Sequence, residues 1–118
     1  MLSLPLKSLA NELKSLVFDY RLAPECPYPI ALNNCYAVLA WIADHSQELA
    51  LDPLRIAVGG VSAGAGLAAS LALYVRDHSD IELAFQFLLC PMIDDRSVTS
   101  SLYQANDARL WNRDSNLM

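Results

Sequence analysis

The sequence has no cluster of lysine and arginine: eight basic residues are spread over 118, and the formal net charge is −5. Phosphate binding needs basic density, so nucleic acid is not an expected partner. No acidic run is long enough to form a tail. Cysteine is sparse. Cys26, Cys35 and Cys90 make an odd number, with no CxxC pair and no metal-like spacing. They are read as reduced thiols in a cytoplasmic protein, with Cys35 and Cys90 buried, and no metal site is expected. The stretch MLSLPLKSLANELKSL lacks a basic leader, and lysines interrupt its apolar residues. It is therefore not read as a secretory signal. Repeats and low-complexity segments are also absent. Glycine is scarce in a telling way: there are four, and all of them, Gly59, Gly60, Gly64 and Gly66, fall inside eight residues.

What is present is apolar. The hydrophobic fraction is 54%, above the usual range for soluble domains. A chain of this length fits one domain, residues 1–118, with a modest core. LPLKSLANELKSL carries leucines near helical spacing and predicts a helix over 4–14. SLVFDY, 15–20, predicts a short buried strand. RLAPECPYP, 21–29, has three prolines and predicts a loop. From Pro29 to about Leu49 the positions Leu32, Cys35, Tyr36, Leu39, Ile42 and Ala43 predict an amphipathic helix. Asp52-Pro53 predicts a turn. RIAVGG, 55–60, predicts a second strand, 63–76 a helix, and 82–90 a third strand closed by Pro91. The polar tail 92–118 suggests one short helix near 105–113. Alternating helices and strands argue for an α/β sandwich of parallel strands joined by crossover helices. Continuously apolar strands suit a sheet covered on both faces.

The glycines sit in IAVGGVSAGAGLAASLALYV, 56–75, a run of twenty residues without a charge. Two readings compete. One is a membrane-spanning helix, since the length suffices and Gly60 and Gly64 form a GxxxG pair. The run is poor in leucine and rich in glycine, alanine and serine, which weakens insertion. The other is a strand turning sharply into a helix at Ser62. Gly60-Val61-Ser62-Ala63-Gly64 is a G-x-S-x-G sequence, a weak signal alone. With a strand before it and a helix after it, the sequence is that of a nucleophile elbow; the plainer alternative is a glycine turn that happens to contain a serine. In the elbow, Gly60 and Gly64 are expected to remove Cβ atoms that would collide where strand and helix backbones meet. Ser62 would project at a helix N-terminus, where free amides and the helix dipole favour negative charge. The Ala63 N–H could then donate to an oxyanion.

Three blocks resemble the hormone-sensitive-lipase-like branch of the α/β-hydrolases: FDYRLAPECPYPIAL, DPLRIAVGGVSAGAGLAASLAL and LLCPMIDDR. They cover most of residues 4–96 in that family's order and spacing. Val61 stands where Asp is common, and Ala65 where Gly is common. The resemblance implies a partial α/β-hydrolase sandwich: three mainly parallel strands, crossover helices and an incomplete sheet. It implies a carboxylic-ester hydrolase of the esterase or lipase kind, acting on small esters without a cofactor. Carried over, Ser62 is the nucleophile and Ala63 supplies one oxyanion N–H. The family's Gly-rich oxyanion loop lies upstream of the matched blocks, and the triad acid and histidine lie downstream. The chain therefore looks like a central segment of a longer hydrolase, inactive by itself.

The two histidines are not expected to complete a triad. His45 and His78 fall near the ends of crossover helices, away from the strand edge where such sites form. His78 is sixteen residues beyond Ser62, on the order of 20 Å along a helix. Asp19, Glu25, Asp94 and Asp95 follow strands on the correct edge, and loop hydrogen bonding is their expected role. In the family's strand order, one strand belongs between those matching 15–20 and 55–60. Without it the segment would have to close the gap, borrow a strand from another chain, or leave open apolar edges that favour self-association. A second function class follows: a non-catalytic remnant that acts through another chain. Membrane insertion is not expected.

Overall fold

A computed structural model describes residues 13–96 and 98–104. Helix α1, Ile30–Asp44, leads through a 3-10 turn, Pro53–Arg55, to strand β1, Ala57–Val61. Helix α2, Ala63–His78, leads to strand β2, Phe85–Leu89, and a short helix α3, Ser100–Gln104, follows. The strands are parallel and paired from Ala57↔Phe85 to Val61↔Leu89. A parallel pair needs a crossover of a dozen residues or more, and α2 supplies it.

The expected helix within 29–49 ends at Asp44. The chain then turns through 45–50, and Ala50 takes a positive φ of 51°. Lys14 reaches back over this turn, and its Nζ donates to the Leu49 and Ala50 carbonyls. Asp52 opens the 3-10 turn as expected of Asp-Pro. Its Oδ1 accepts from the Leu54 N–H at 3.0 Å, and Pro53 occupies the first turn, where no N–H is required.

The core lies between the two long helices and one face of the sheet. Leu32, Cys35 and Leu39 of α1 meet Leu71 and Val75 of α2, and Ile56, Val58 and Leu83 pack against them. The Tyr36 and Tyr74 rings meet edge to face, 5.1 Å apart. Burial raises the Cys35 thiol pKa, which keeps it protonated and apolar. Cys90, expected inside, is exposed. It lies past the last residue of β2, beyond the cover of either long helix.

Two expectations meet a different outcome. Residues 15–20 have no assigned strand. They run exposed beside β1, and an apolar cleft of about 240 Å³ separates them from it, lined by Leu16, Val17, Phe18, Ala57, Val58 and Gly59 among others. Among the described residues the ladder therefore has two strands, not three. Second, among the described residues the sheet is covered on one face only. Ala57, Gly59, Val61, Phe85, Phe87 and Leu89 all point away from the helices and are exposed. As the elbow reading expects, the uncharged run 56–75 is broken at Ser62 into strand and helix. No helix among the described residues is long and apolar enough to cross a membrane. The helices expected at 4–14 and near 105–113 lie outside the described residues, apart from Leu13 and Lys14, which are not helical.

Leu71 and Leu73 separate core from surface within one helix. Leu71 is 4% exposed and Leu73 is 54% exposed. Leu71→Ala is expected to cost about 2–5 kcal/mol of stability. Leu73→Ala should change it by less than about 1 kcal/mol. Urea unfolding of the two variants, compared at the midpoint, checks this.

Candidate active site

The site is the corner between β1 and α2. Val61 ends the strand, Ala63 begins the helix, and Ser62 alone makes the turn. It does so at φ 56°, ψ −118°, a positive-φ conformation that costs a residue with a side chain about 1–3 kcal/mol. Glycine explains how strand and helix come so close. A Cβ on Gly60 would lie 2.5 Å from the Gly64 carbonyl oxygen and 2.7 Å from the Ala65 nitrogen. Both are backbone atoms that cannot swing aside. Gly64 itself differs from expectation, because a Cβ there would meet nothing within 4 Å. The close approach is between the Gly60 α-carbon and the Gly64 backbone, so only Gly60 must lack a side chain; Gly64 lines the open cleft. Gly66 makes the other tight contact: a Cβ there would overlap the Met92 carbonyl oxygen.

Ser62 and Ala63 are exposed. The Ser62 side chain makes no capping bond to its own helix, so the hydroxyl of this exposed residue is not spent on the helix end. Its main chain is fully held. The Ser62 N–H donates to the Leu89 carbonyl at 2.9 Å, and its carbonyl accepts from Ala65 and Gly66 at 3.1 Å and from Met92 at 3.3 Å. The Ala63 N–H is the first amide of α2 and has no intrahelical partner. An anion placed beside the Ser62 hydroxyl would meet this amide and the positive end of a 16-residue helix.

The other candidate polar residues make contacts of their own. His78 closes the far end of α2, about 24 Å from its start. Its Nδ1 lies 3.1 Å from the Tyr74 carbonyl, and its ring stacks on Tyr74. His45 repeats the arrangement at the end of α1, with Nδ1 2.9 Å from the Trp41 carbonyl and its ring stacked on Trp41. A carbonyl only accepts, so Nδ1 is the donor in each pair. Asp94 follows β2 and is taken by Arg96, whose Nε and Nη2 donate to its two oxygens at 2.7 and 2.9 Å. Asp19 and Glu25 line a shallow surface depression with Tyr20, Arg21, Leu22 and Cys26. Arg21 is anchored to α1, its N–H and Nε both donating to Asn34 Oδ1. Among the described residues, no three His, Cys, Asp or Glu side chains converge as a group that could hold a metal. The sequence reading missed Met92. Its part is played by the main chain, and the one hint was Gly66, an extra glycine beyond the G-x-S-x-G.

A parallel sheet whose strand passes through a positive-φ serine directly into a helix is the elbow architecture of the α/β-hydrolases. A family model described as alpha/beta hydrolase fold matches residues 5–118, and the chain belongs to that family. Its relatives fit the hormone-sensitive-lipase-like branch. Carboxylesterase NlhH of Mycobacterium tuberculosis is 43% identical over 97 residues, which are 81% of this chain and 30% of that protein. An arylesterase of Saccharolobus solfataricus is 39% identical over 75 residues, 64% of this chain and 24% of that one. The solved structure of a bacterial heroin esterase superposes with a TM-score of 0.79 at 51% identity, covering 83% of this chain and 31% of the other. The chain thus spans about a third or less of the length of these relatives.

Two outcomes are expected. Gly60→Ala should destabilise severely, by several kcal/mol, because neither backbone can yield. Gly64→Ala should be neutral or stabilising by up to about 1 kcal/mol, since alanine is the better helix former. Soluble yield and urea midpoint distinguish them. The Arg96 guanidinium, followed by its backbone N–H, holds the Asp94 carboxyl at about 2, down from 3.8. Its folded-state value lies below the unfolded one, so whatever stability the pair contributes is present above about pH 4 and is lost as pH falls through about 2. Carboxyl-carbon NMR should show that midpoint, and Arg96→Ala, which keeps the backbone N–H, should move it part of the way back toward the ordinary aspartate range.

Proposed function

We propose that this chain carries the nucleophile segment of a carboxylic-ester hydrolase, with Ser62 as the acyl-accepting residue. The observation that supports it is the Ser62 hydroxyl: on an exposed residue, without a capping bond, at positive φ, and beside the unpaired Ala63 amide at a helix N-terminus. In the reaction, Ser62 Oγ attacks the ester carbonyl carbon as its proton passes to a base. The carbonyl oxygen becomes an oxyanion, which the Ala63 N–H stabilises. The tetrahedral intermediate collapses, the alcohol leaves with a proton, and water then releases the acid from the acyl-serine by the same route. Gly60 keeps α2 seated against β1 and so keeps the Ala63 amide beside Oγ.

In this reading the base, its acid partner and a further oxyanion donor come from segments outside residues 1–118, consistent with relatives about three times as long. Neither His45 nor His78 serves as base, because each is committed to the far end of its helix. A second reading, a non-catalytic remnant that associates with another chain, draws on the bare apolar face of Phe85, Phe87 and Leu89.

The chain alone should hydrolyse p-nitrophenyl butyrate no faster than its Ser62→Ala variant. A missing triad member costs on the order of 10⁴–10⁶ in turnover, and a missing oxyanion donor roughly 10²–10³ more. Adding complementary N- and C-terminal segments of a relative should restore hydrolysis, and Ser62→Ala should remove it. Hydrolysis that returns but survives Ser62→Ala would overturn the assignment. Turnover by the chain alone that disappears in Ser62→Ala would place a base within it.

A further inference from the structure

We propose that the corner Cys90–Pro91–Met92 is the positioning device for Ser62, with Met92 acting through its main chain. The inference rests on the reading of Ser62 as nucleophile. A serine at positive φ relaxes unless something outside the turn forbids it. Of the bonds that reach its backbone, those from Ala65 and Gly66 are the opening turn of α2. They form for any residue that caps a helix, and they do not require positive φ. The remaining two come from the segment that leaves β2. Leu89 accepts from the Ser62 N–H, and Met92 donates to the Ser62 carbonyl.

These two bonds act on opposite sides of the Ser62 α-carbon. Peptide units are planar, so φ and ψ of Ser62 are the angles between the plane before it and the plane after it. Leu89 holds the first plane, and Met92 joins the helix amides of Ala65 and Gly66 in holding the second, as the one donor to it from outside the helix among the described residues. One short stretch of chain thus acts on both dihedrals, provided that it is itself stiff. Pro91 supplies stiffness, with φ locked by its ring and no N–H to bond elsewhere. Cys90 makes the bend at φ 50°. The corner also has a seat: the Met92 carbonyl oxygen lies where a Cβ on Gly66 would be. Gly66 thereby admits the corner close enough for the Met92 N–H to reach Ser62. The contacts that carry the arrangement are made by main-chain atoms of Met92.

The test removes one N–H from the 118-residue chain. Met92 is replaced by its α-hydroxy acid, so that an ester replaces the amide between residues 91 and 92. NMR then reads the Ser62 HN–Hα coupling and Cβ shift, which report φ. Amide exchange along Ala57–Val61 and Phe85–Leu89 reports the sheet. The expected result is loss of the positive-φ signature at Ser62 with the sheet still protected. A Ser62 that keeps positive φ without the Met92 N–H overturns the proposal. Gly66→Ala, which displaces the corner sterically, should reproduce the loss, while Met92→Ala, which keeps the N–H, should not. Equal loss in Met92→Ala would overturn the main-chain role. With the complementary segments added, the ester variant should lower kcat roughly two- to tenfold, the worth of one hydrogen bond, and leave KM unchanged. The coupling is read without turnover, so it stands apart from failure of the nucleophile reading, which would show as hydrolysis surviving Ser62→Ala.

Discussion

Everything in this structure depends on the close approach of Gly60 to the backbone of Gly64 and Ala65. A strand and a helix joined by one residue must nearly touch where they meet. Because no Cβ intervenes, α2 starts at once and lies back across β1. That placement puts Leu71 and Val75 over the inner face of the sheet, where Leu32, Cys35 and Leu39 of α1 close the core. A side chain at Gly60 would push out the start of α2, and the core would lose its second wall.

The same constraint produces the chemistry of the corner. With no loop to spread the turn, one residue must take all of it, and that residue is strained. The strain leaves the hydroxyl of Ser62 at the surface with unpaired helix amides beside it, instead of folding it back as an ordinary cap. The far ends of both helices are built the opposite way. There His45 and His78 close on the carbonyls of Trp41 and Tyr74 and stack on their rings. Those helix ends carry a ring nitrogen on a late carbonyl, whereas the elbow leaves the Ser62 hydroxyl without a capping bond.

How far the sequence discloses this follows from the range of each interaction. The elements α1, β1, α2 and β2 were legible because their signals are local: helical spacing at Leu32, Cys35 and Leu39, β-branched Ile56 and Val58 before paired glycines, and Pro91 as a stop. The turn at Ser62 was legible because glycine flanks it. The strand at 15–20 was misread because an apolar run shows readiness to pair, not the presence of a partner; across from it lies a cleft. Gly64 was misread because spacing locates a close approach without telling which of the two glycines carries the collision. Cys90 looked internal from composition, yet it sits past the end of β2. The grip of Met92 on Ser62 left almost no trace, since backbone atoms are the same in every residue.

The two outside tethers of Ser62 also set an order of events in synthesis. Leu89 and Met92 follow the serine by 27 and 30 residues. A ribosome adds about 5–20 residues per second, so the tethers emerge seconds after the serine. During that interval α2 can form from its own hydrogen bonds, while Ser62 is free to sample relaxed backbone. The strained conformer therefore belongs to the last stage of assembly: the corner is set only when β2 docks beside β1.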